Sequence, residues 1–306
     1  MKKTGIETSE FISPEHLRAS FDRLGGKKSV TQGQFEGVYE CNARDSEWNH
    51  LDQLHRPYIH RTYQQALRIV RTCESALSLT TVKFAGIPFL VLVSDVQLKQ
   101  GVYYQSFTLL GLIYVHIMIE KIPEGIARSR LRVNWYIVSN PWFKFLHAYI
   151  DRAYRGLSIQ QNEEDKAVLL RREEIRGKGY HFASDHEALN FINSNTLTSN
   201  VLFPPLNESK RIPLQSLDPS ALNQVTVGPV TFLVRFNPDQ SISVWTEVCP
   251  HEGGPLGEGK LCGESIECPW HGLKFKGIRL STENPDKFLE NYSFRLEGNA
   301  LTIEDR

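Results

Sequence analysis

Between Val248 and Gly272 the chain reads Val-Cys-Pro-His-Glu-Gly-Gly-Pro-Leu-Gly-Glu-Gly-Lys-Leu-Cys-Gly-Glu-Ser-Ile-Glu-Cys-Pro-Trp-His-Gly. Its skeleton is Cys249-x-His251, sixteen residues, then Cys268-x-x-His271. Two short loops must therefore each bring one thiolate and one imidazole to a common point. Two soft sulfurs and two borderline nitrogens suit tetrahedral zinc or an iron–sulfur centre. Zinc sites with two Cys and two His usually pair like with like, whereas each loop here mixes the types. Incidental placement of the four residues is the remaining reading. Cys262 matches neither ligand position and reads as a plain core or surface thiol. Cys41 and Cys73 have no metal-type neighbours and read as buried small hydrophobes. With five cysteines in all, no disulfide framework is expected.

The flanks add to the pattern. Gly253, Gly254 and Pro255 permit a tight turn whose N–H groups point at sulfur. Pro269 and Gly272 bracket the second pair, and Trp270 is placed to cover it. In a Rieske [2Fe–2S] centre one iron is held by two Cys and the other by two His. The segment resembles a Rieske iron–sulfur domain, and the resemblance assigns Cys249, His251, Cys268 and His271 as cluster ligands. Short β-branched runs surround the loops: Val230 to Phe236, Ser241 to Val248, Leu273 to Phe275 and Ala300 to Ile303. They predict a small antiparallel β domain.

Such a centre passes electrons singly, so the rest of the 306 residues must explain where they go. Hydrophobic residues are 41% and charged residues 23%, which excludes disorder and collagen. Thirty-five basic and 35 acidic side chains balance, so no counterion-release drive toward nucleic acid exists. The first ten residues are not a signal peptide. The most apolar run, Leu109 to Ile119, is too short for a bilayer, which needs about 20 residues. A soluble, cytoplasmic protein without a membrane span is expected.

Three histidines fall between His50 and His60, with the core pattern Asp52-x-x-His55-x-x-x-x-His60. On a helix Asp52 and His55 share a face. His60 would point roughly 140° away from His55 at 100° per residue. Arg44 to His60 reads as one helix, in which Pro57 supplies a bend that swings His60 back. Two His and a remote carboxylate form the facial triad of non-haem Fe(II) oxygenases. Asp-x-x-His-x-x-x-x-His resembles the mononuclear iron motif of Rieske oxygenases of the aromatic-ring-hydroxylating type. Gln161-Asn-Glu-Glu-Asp-Lys-Ala-Val-Leu resembles the segment that carries that family's third ligand. The resemblance assigns His55, His60 and Asp165 to a mononuclear iron, with Glu164 and Glu163 as fallbacks if the register differs. It gives Asp52 the bridging role, between His55 and the cluster ligand His271, usually across a subunit boundary. His50 reads as a helix-surface or supporting residue, His116 as a core histidine, and His147, His181 and His186 as structural.

Elsewhere Glu15 to Leu24 reads as a short helix and Phe35 to Cys41 as a strand. Further strands are expected over Leu77 to Phe84, Pro88 to Val93, Val102 to Leu109, Leu112 to Ile119 and Ala127 to Val138. A long helix follows over Trp142 to Arg176, with a break possible at Gly156, and then a short one over Asp185 to Ser194. The fold class is α+β. A helix-grip (START-like) catalytic domain, with an antiparallel sheet and a long C-terminal helix, is followed by a small all-β Rieske domain. The expected domains are residues 1–205 and 206–306, joined by a linker over Val201 to Lys210. This order reverses the family's usual one. Phe89, Val91, Phe107, Leu109, Tyr114 and Trp135 are candidate pocket residues. The resemblance implies hydroxylation, dihydroxylation or dealkylation of a small hydrophobic organic substrate with O2. It also implies electrons from NAD(P)H through a separate reductase or ferredoxin, and a homo-oligomer, with a trimer favoured. The alternative is an electron carrier fused to a hydrophobic-ligand module without a second iron.

Overall fold

The computed structural model describes Ala19 and residues 28–84, 87–193, 198–283 and 286–306. The helix expected over Glu15 to Leu24 lies, apart from Ala19, outside the described residues. The chain divides into two compact units, Met1–Leu170 with Ala188–Thr196, and Arg171–Glu187 with Leu197–Arg306.

The first unit is built on seven strands: β1 (Ser29–Tyr39), β2 (Tyr63–Arg71), β3 (Ser75–Phe84), β4 (Ile87–Lys99), β5 (Val102–Leu109), β6 (Ile113–Pro123) and β7 (Ser129–Ser139). They form one antiparallel sheet in the order β1-β7-β6-β5-β4-β3-β2. Two short helices, α1 (Ala43–Leu51) and α2 (Arg56–Ile59), connect β1 to the far edge strand β2. The long helix α3 (His147–Gly177) follows β7. This is the expected helix-grip arrangement. Strand alternation explains the core: Ile113, Val115, Ile117 and Ile119 of β6 are buried in turn, as are Leu131, Val133 and Trp135 of β7. Trp135 finds a partner for its indole N–H in Asp151 Oδ1 of α3, at 2.9 Å.

Several expectations need correction. The strand β2 was not anticipated: its sequence, YQQALRIVR, is mostly exposed at a sheet edge and has no clean alternation. Helix α3 runs unbroken through Gly156, because packing of its buried face outweighs the roughly 1 kcal/mol cost of one glycine. No ten-residue helix begins at Asp185; a single 3-10 turn, Ala183–Asp185, stands there, and Ser194 lies outside the described residues. Cys73 is exposed rather than buried.

The second unit is built of β-strands and short 3-10 turns, apart from the last turns of α3. β8 (His181–Phe182) pairs with β9 (Val201–Leu202). After β10 (Lys210–Pro213), the strands β11 (Asn223–Val227), β12 (Val230–Phe236) and β13 (Ile242–Thr246) form a meander. β14 (Lys260–Cys262), β15 (Ser265–Glu267) and β16 (Lys274–Lys276) make a small three-stranded sheet. β17 (Ile278–Leu280) joins β13, while β18 (Asp286–Leu289), β19 (Tyr292–Glu297) and β20 (Ala300–Asp305) complete a sheet with β10. One core unites Phe232, Val244, Leu280, Tyr292, Phe294 and Leu301. Val201, Phe203 and Leu206 belong to it as well. The stretch read as a linker is thus part of the packed unit: Val201, Phe203 and Leu206 go inward while Leu202 stays exposed. Among the described residues no helix is long and apolar enough to cross a membrane.

Candidate metal centres

The segment expected as one helix from Arg44 to His60 is three pieces. Asn42 caps α1, its Oδ1 accepting from Arg44 N at 2.9 Å. The helix stops at Asp52, which leaves helical geometry (φ −76°, ψ 86°) and caps a 3-10 turn, Gln53–His55, by accepting from Leu54 N at 3.2 Å. Pro57 sits in the first turn of α2, where a missing N–H costs nothing. His60 ends α2 in extended geometry (φ −94°, ψ 118°). Beyond the break at Asp52, the passage from the 3-10 turn that ends at His55 into α2, and the extended exit at His60, set the two imidazoles together, with ring centroids 5.3 Å apart.

Asp95 of β4, fully buried, anchors this segment. It accepts from Gln53 Nε2 at 2.6 Å, pairs with Arg56 Nη2 at 3.4 Å, and lies 3.9 Å from His50 Nε2. His50 is therefore an internal contact rather than a surface residue. This anchor was not foreseen, since nothing near Asp95 in sequence marks it.

His55, His60 and Asp165 offer ligand atoms that all lie within 4.8 Å of one another. Asp165 Oδ1 stands 3.4 Å from His60 Nε2 and 3.8 Å from His55 Nε2. A first-row ion about 2.1 Å from each donor places neighbouring donors roughly 3.0–3.5 Å apart, so a small inward movement completes the shell. Both His55 nitrogens and Asp165 Oδ1 are buried without hydrogen-bond partners, an arrangement a metal ion would satisfy. Asp52 Oδ2 faces His55 Nδ1 at 3.7 Å, and Glu164 Oε2 holds His60 Nδ1 at 3.1 Å. Burial pushes the His60 pKa down, against the pull of Asp165, and so favours the neutral, ligating form. Glu164 thus meets Nδ1 of His60 and Asp165 its Nε2.

The same atoms face a pocket whose wall includes Tyr39, Asn49, Gln105, Lys121, Asn162 and Asp165. None of the six apolar residues expected to line it does so. Trp135 is packed in the core, Phe107 and Leu109 lean on that core, and Tyr114 is exposed. Polar side chains from β1, β6 and α3 face the pocket, together with the apolar Ile119 of β6 and Leu131 and Val133 of β7. His116 is elsewhere, 2.5 Å from the Tyr104 hydroxyl, and His147 lies between Thr31 and Ser139.

In the second unit the two loops repeat one geometry. Cys249 N donates to Gly254 O at 2.8 Å and Gly253 N to Cys249 O at 2.9 Å. Cys268 N donates to Leu273 O at 2.8 Å and Gly272 N to Cys268 O at 2.9 Å. Gly253 and Gly272 both take positive φ (89° and 66°), which closes each turn. Cys249, His251, Cys268 and His271 are all buried, and the two histidine Nδ1 atoms are 3.3 Å apart. Burial pushes the Cys249 thiol up, while the hydrogen bond from Cys249 holds Cys268 down. A proton shared between two thiols is what metal would displace. The fit extends to Gly254, where a Cβ would sit 2.7 Å from Cys268 Sγ: the cradle has no room to spare.

Sequence reasoning missed the clamp on the first loop. Arg171 Nε donates to Gly253 O at 3.0 Å, and Arg172 Nη1 to Glu252 Oε2 at 2.8 Å, with Asn200 Nδ2 on the other Glu252 oxygen at 2.8 Å. The only sequence signal was an acid directly after a ligand histidine.

Residues 209–287 match the Rieske [2Fe-2S] domain family. Dicamba O-demethylase, oxygenase component, of Stenotrophomonas maltophilia is 38% identical over 48 residues, 16% of this chain. A cholesterol 7-desaturase of Ciona intestinalis is 36% identical over 64 residues, 21% of this chain. The matched stretch spans only 14% of each of these relatives. Among solved structures, the Zhui aromatase/cyclase from Streptomyces aligns with 47% of this chain and 96% of its own, at 10% identity and a TM-score of 0.42. A truncated norcoclaurine synthase from Thalictrum flavum aligns with 47% and 96%, at 14% identity and a TM-score of 0.39. The sequence match and the paired Cys–His loops agree: C-terminal to its helix-grip sheet, this chain carries a Rieske [2Fe–2S] domain.

Proposed function

We propose that this chain is a Rieske-type non-haem iron oxygenase, with Cys249, His251, Cys268 and His271 holding the cluster and His55, His60 and Asp165 holding a mononuclear iron. The observation that carries the reading is the meeting of His55 Nε2, His60 Nε2 and Asp165 Oδ1 in one buried pocket. Bound there, Fe(II) would activate dioxygen with electrons relayed from the cluster. The chain's own residues prepare that chemistry. Glu164 fixes the His60 ring, Asp52 faces the outer nitrogen of His55 and takes the bridging role in the path from the cluster ligand His271, and Asp95 holds the segment in place. The substrate is a small organic molecule, and the reaction is hydroxylation, dihydroxylation, oxidative dealkylation or desaturation. The last two are the reactions that the relatives' names describe. A separate reductase drawing on NAD(P)H, and a homo-oligomer, complete the proposal.

Iron analysis of the purified chain tests it. One iron beyond the cluster's pair is expected, and His55→Ala or Asp165→Ala should lose that iron and all substrate-dependent O2 uptake while keeping the cluster's visible spectrum. A wild-type chain with only the cluster's iron after ferrous loading would favour an electron carrier fused to a ligand-binding module.

A further inference from the structure

The inward face of β6 runs Ile113, Val115, Ile117, Ile119 and then Lys121, each buried. A lysine in a core-facing position pays a desolvation penalty that a partner must offset. Lys121 is 7% exposed, and burial pushes its pKa down while Asp165 and Glu47 act in the other direction. Among the described residues its ammonium forms no ion pair within contact distance. Glu47 is turned to Gly101 N at 2.9 Å and the Tyr103 hydroxyl at 3.2 Å. The ammonium lies instead 5.4 Å from the ring centre of Tyr39.

Tyr39 has a matching deficit. It is 1% exposed, and its hydroxyl has no hydrogen-bond partner. Burial holds that phenol well above its ordinary pKa, so it remains a donor. The sheet register explains the pairing. Lys121 stands opposite Leu131, which stands opposite Gly37, and Tyr39 is two residues beyond on the same face. Gly37 keeps this corner open, since a Cβ there would fall 2.3 Å from Asn162 Oδ1. Both residues line the pocket that His55, His60 and Asp165 face.

Two donors in a buried pocket, one of them a cation without a counterion, call for an anion with two acceptor oxygens. We propose that Lys121 and Tyr39 bind the carboxylate of a small organic acid, which thereby becomes the substrate class of the iron site. The ammonium neutralises the charge and the phenol donates to one oxygen. A neutral carbonyl would leave the ammonium uncompensated, and a cation would be repelled. Calling the bound acid the substrate rests on the proposed oxygenase function; the binding itself does not.

Titration calorimetry on the cluster-loaded chain, with acetate and benzoate against acetamide and benzamide, tests this. At least one acid should bind tenfold or more tightly than its amide. Lys121→Met should weaken acid binding at least tenfold and abolish the preference, Tyr39→Phe should weaken it several-fold, and Lys121→Arg should keep it. Lys121→Gln serves if the Met variant does not fold. Failure of both acids to bind, equal binding of the amides, or unchanged binding by the neutral variants overturns the proposal. Acid binding in a chain that holds no second iron would sink the oxygenase reading and leave this one standing; iron without acid binding would do the reverse.

Discussion

Glu164 Oε2 lies 3.1 Å from Nδ1 of His60, while Asp165, the next residue, faces the opposite nitrogen at 3.4 Å. Two consecutive acids of one helical turn thus grip both edges of a single imidazole. With the Nδ1–H donating its hydrogen bond to Glu164, the Nε2 lone pair is left free for a metal. Glu164→Ala should weaken iron binding at the second site by about 10- to 100-fold. Chelator competition read against the unchanged cluster spectrum measures it, and wild-type retention of iron would remove Glu164 from the site.

The Cys–His loops of the Rieske domain were legible because their chemistry is local: ligand identity and spacing survive in the sequence. How His55 and His60 converge was not. The 3-10 turn and the short helix that carry them are held by Asp95, through Gln53 and Arg56, on a strand some 40 positions away. Local propensity does not encode such a contact. The pocket wall was missed for a related reason. Alternation marks which half of a strand faces inward, but not where the inward face changes from core to pocket. On β6 that change occurs after Ile117: Ile119 and Lys121 both line the pocket. Edge strand β2 has no buried face to announce it: Leu67, Ile69 and Val70 are all exposed.

Asp95 is fully buried and is the carboxylate partner of the equally enclosed Arg56. Asp95→Ala would strand that guanidinium and release Gln53. A loss of about 3–5 kcal/mol in unfolding free energy is expected. Urea denaturation followed by circular dichroism measures it. A replacement within about 0.5 kcal/mol of wild type, the range of an ordinary surface change, would refute the anchoring role.

Acid sensitivity should trace in part to His116. Burial pushes it down to about 4 from 6.5, and the Tyr104 hydroxyl lies 2.5 Å from its Nδ1. Between those values the unfolded chain binds a proton that the folded chain does not. Stability therefore falls as pH drops from about 6.5 toward about 4. His116→Gln removes that group, so its unfolding free energy should decline less steeply than the wild type's over this window. Parallel slopes would show that His116 is not the source.

Gly254 tests the cluster cradle without touching a ligand. Its backbone does not require positive φ, so alanine is tolerated there conformationally; the obstacle is space. The added Cβ would stand 2.7 Å from Cys268 Sγ and 3.1 Å from the Trp270 ring. One sulfur must shift to admit it, at a cost of about 1–3 kcal/mol. Gly254→Ala should therefore lower cluster incorporation, read as visible absorbance per chain and as the reduced cluster's paramagnetic signal. Gly257→Ala is the control, because its nearest neighbour, 3.2 Å away, is the movable amide of Gln224. Equal cluster content in the two variants would mean that the loops adjust freely around the sulfurs, and that the tight cradle is not what shapes the Rieske site.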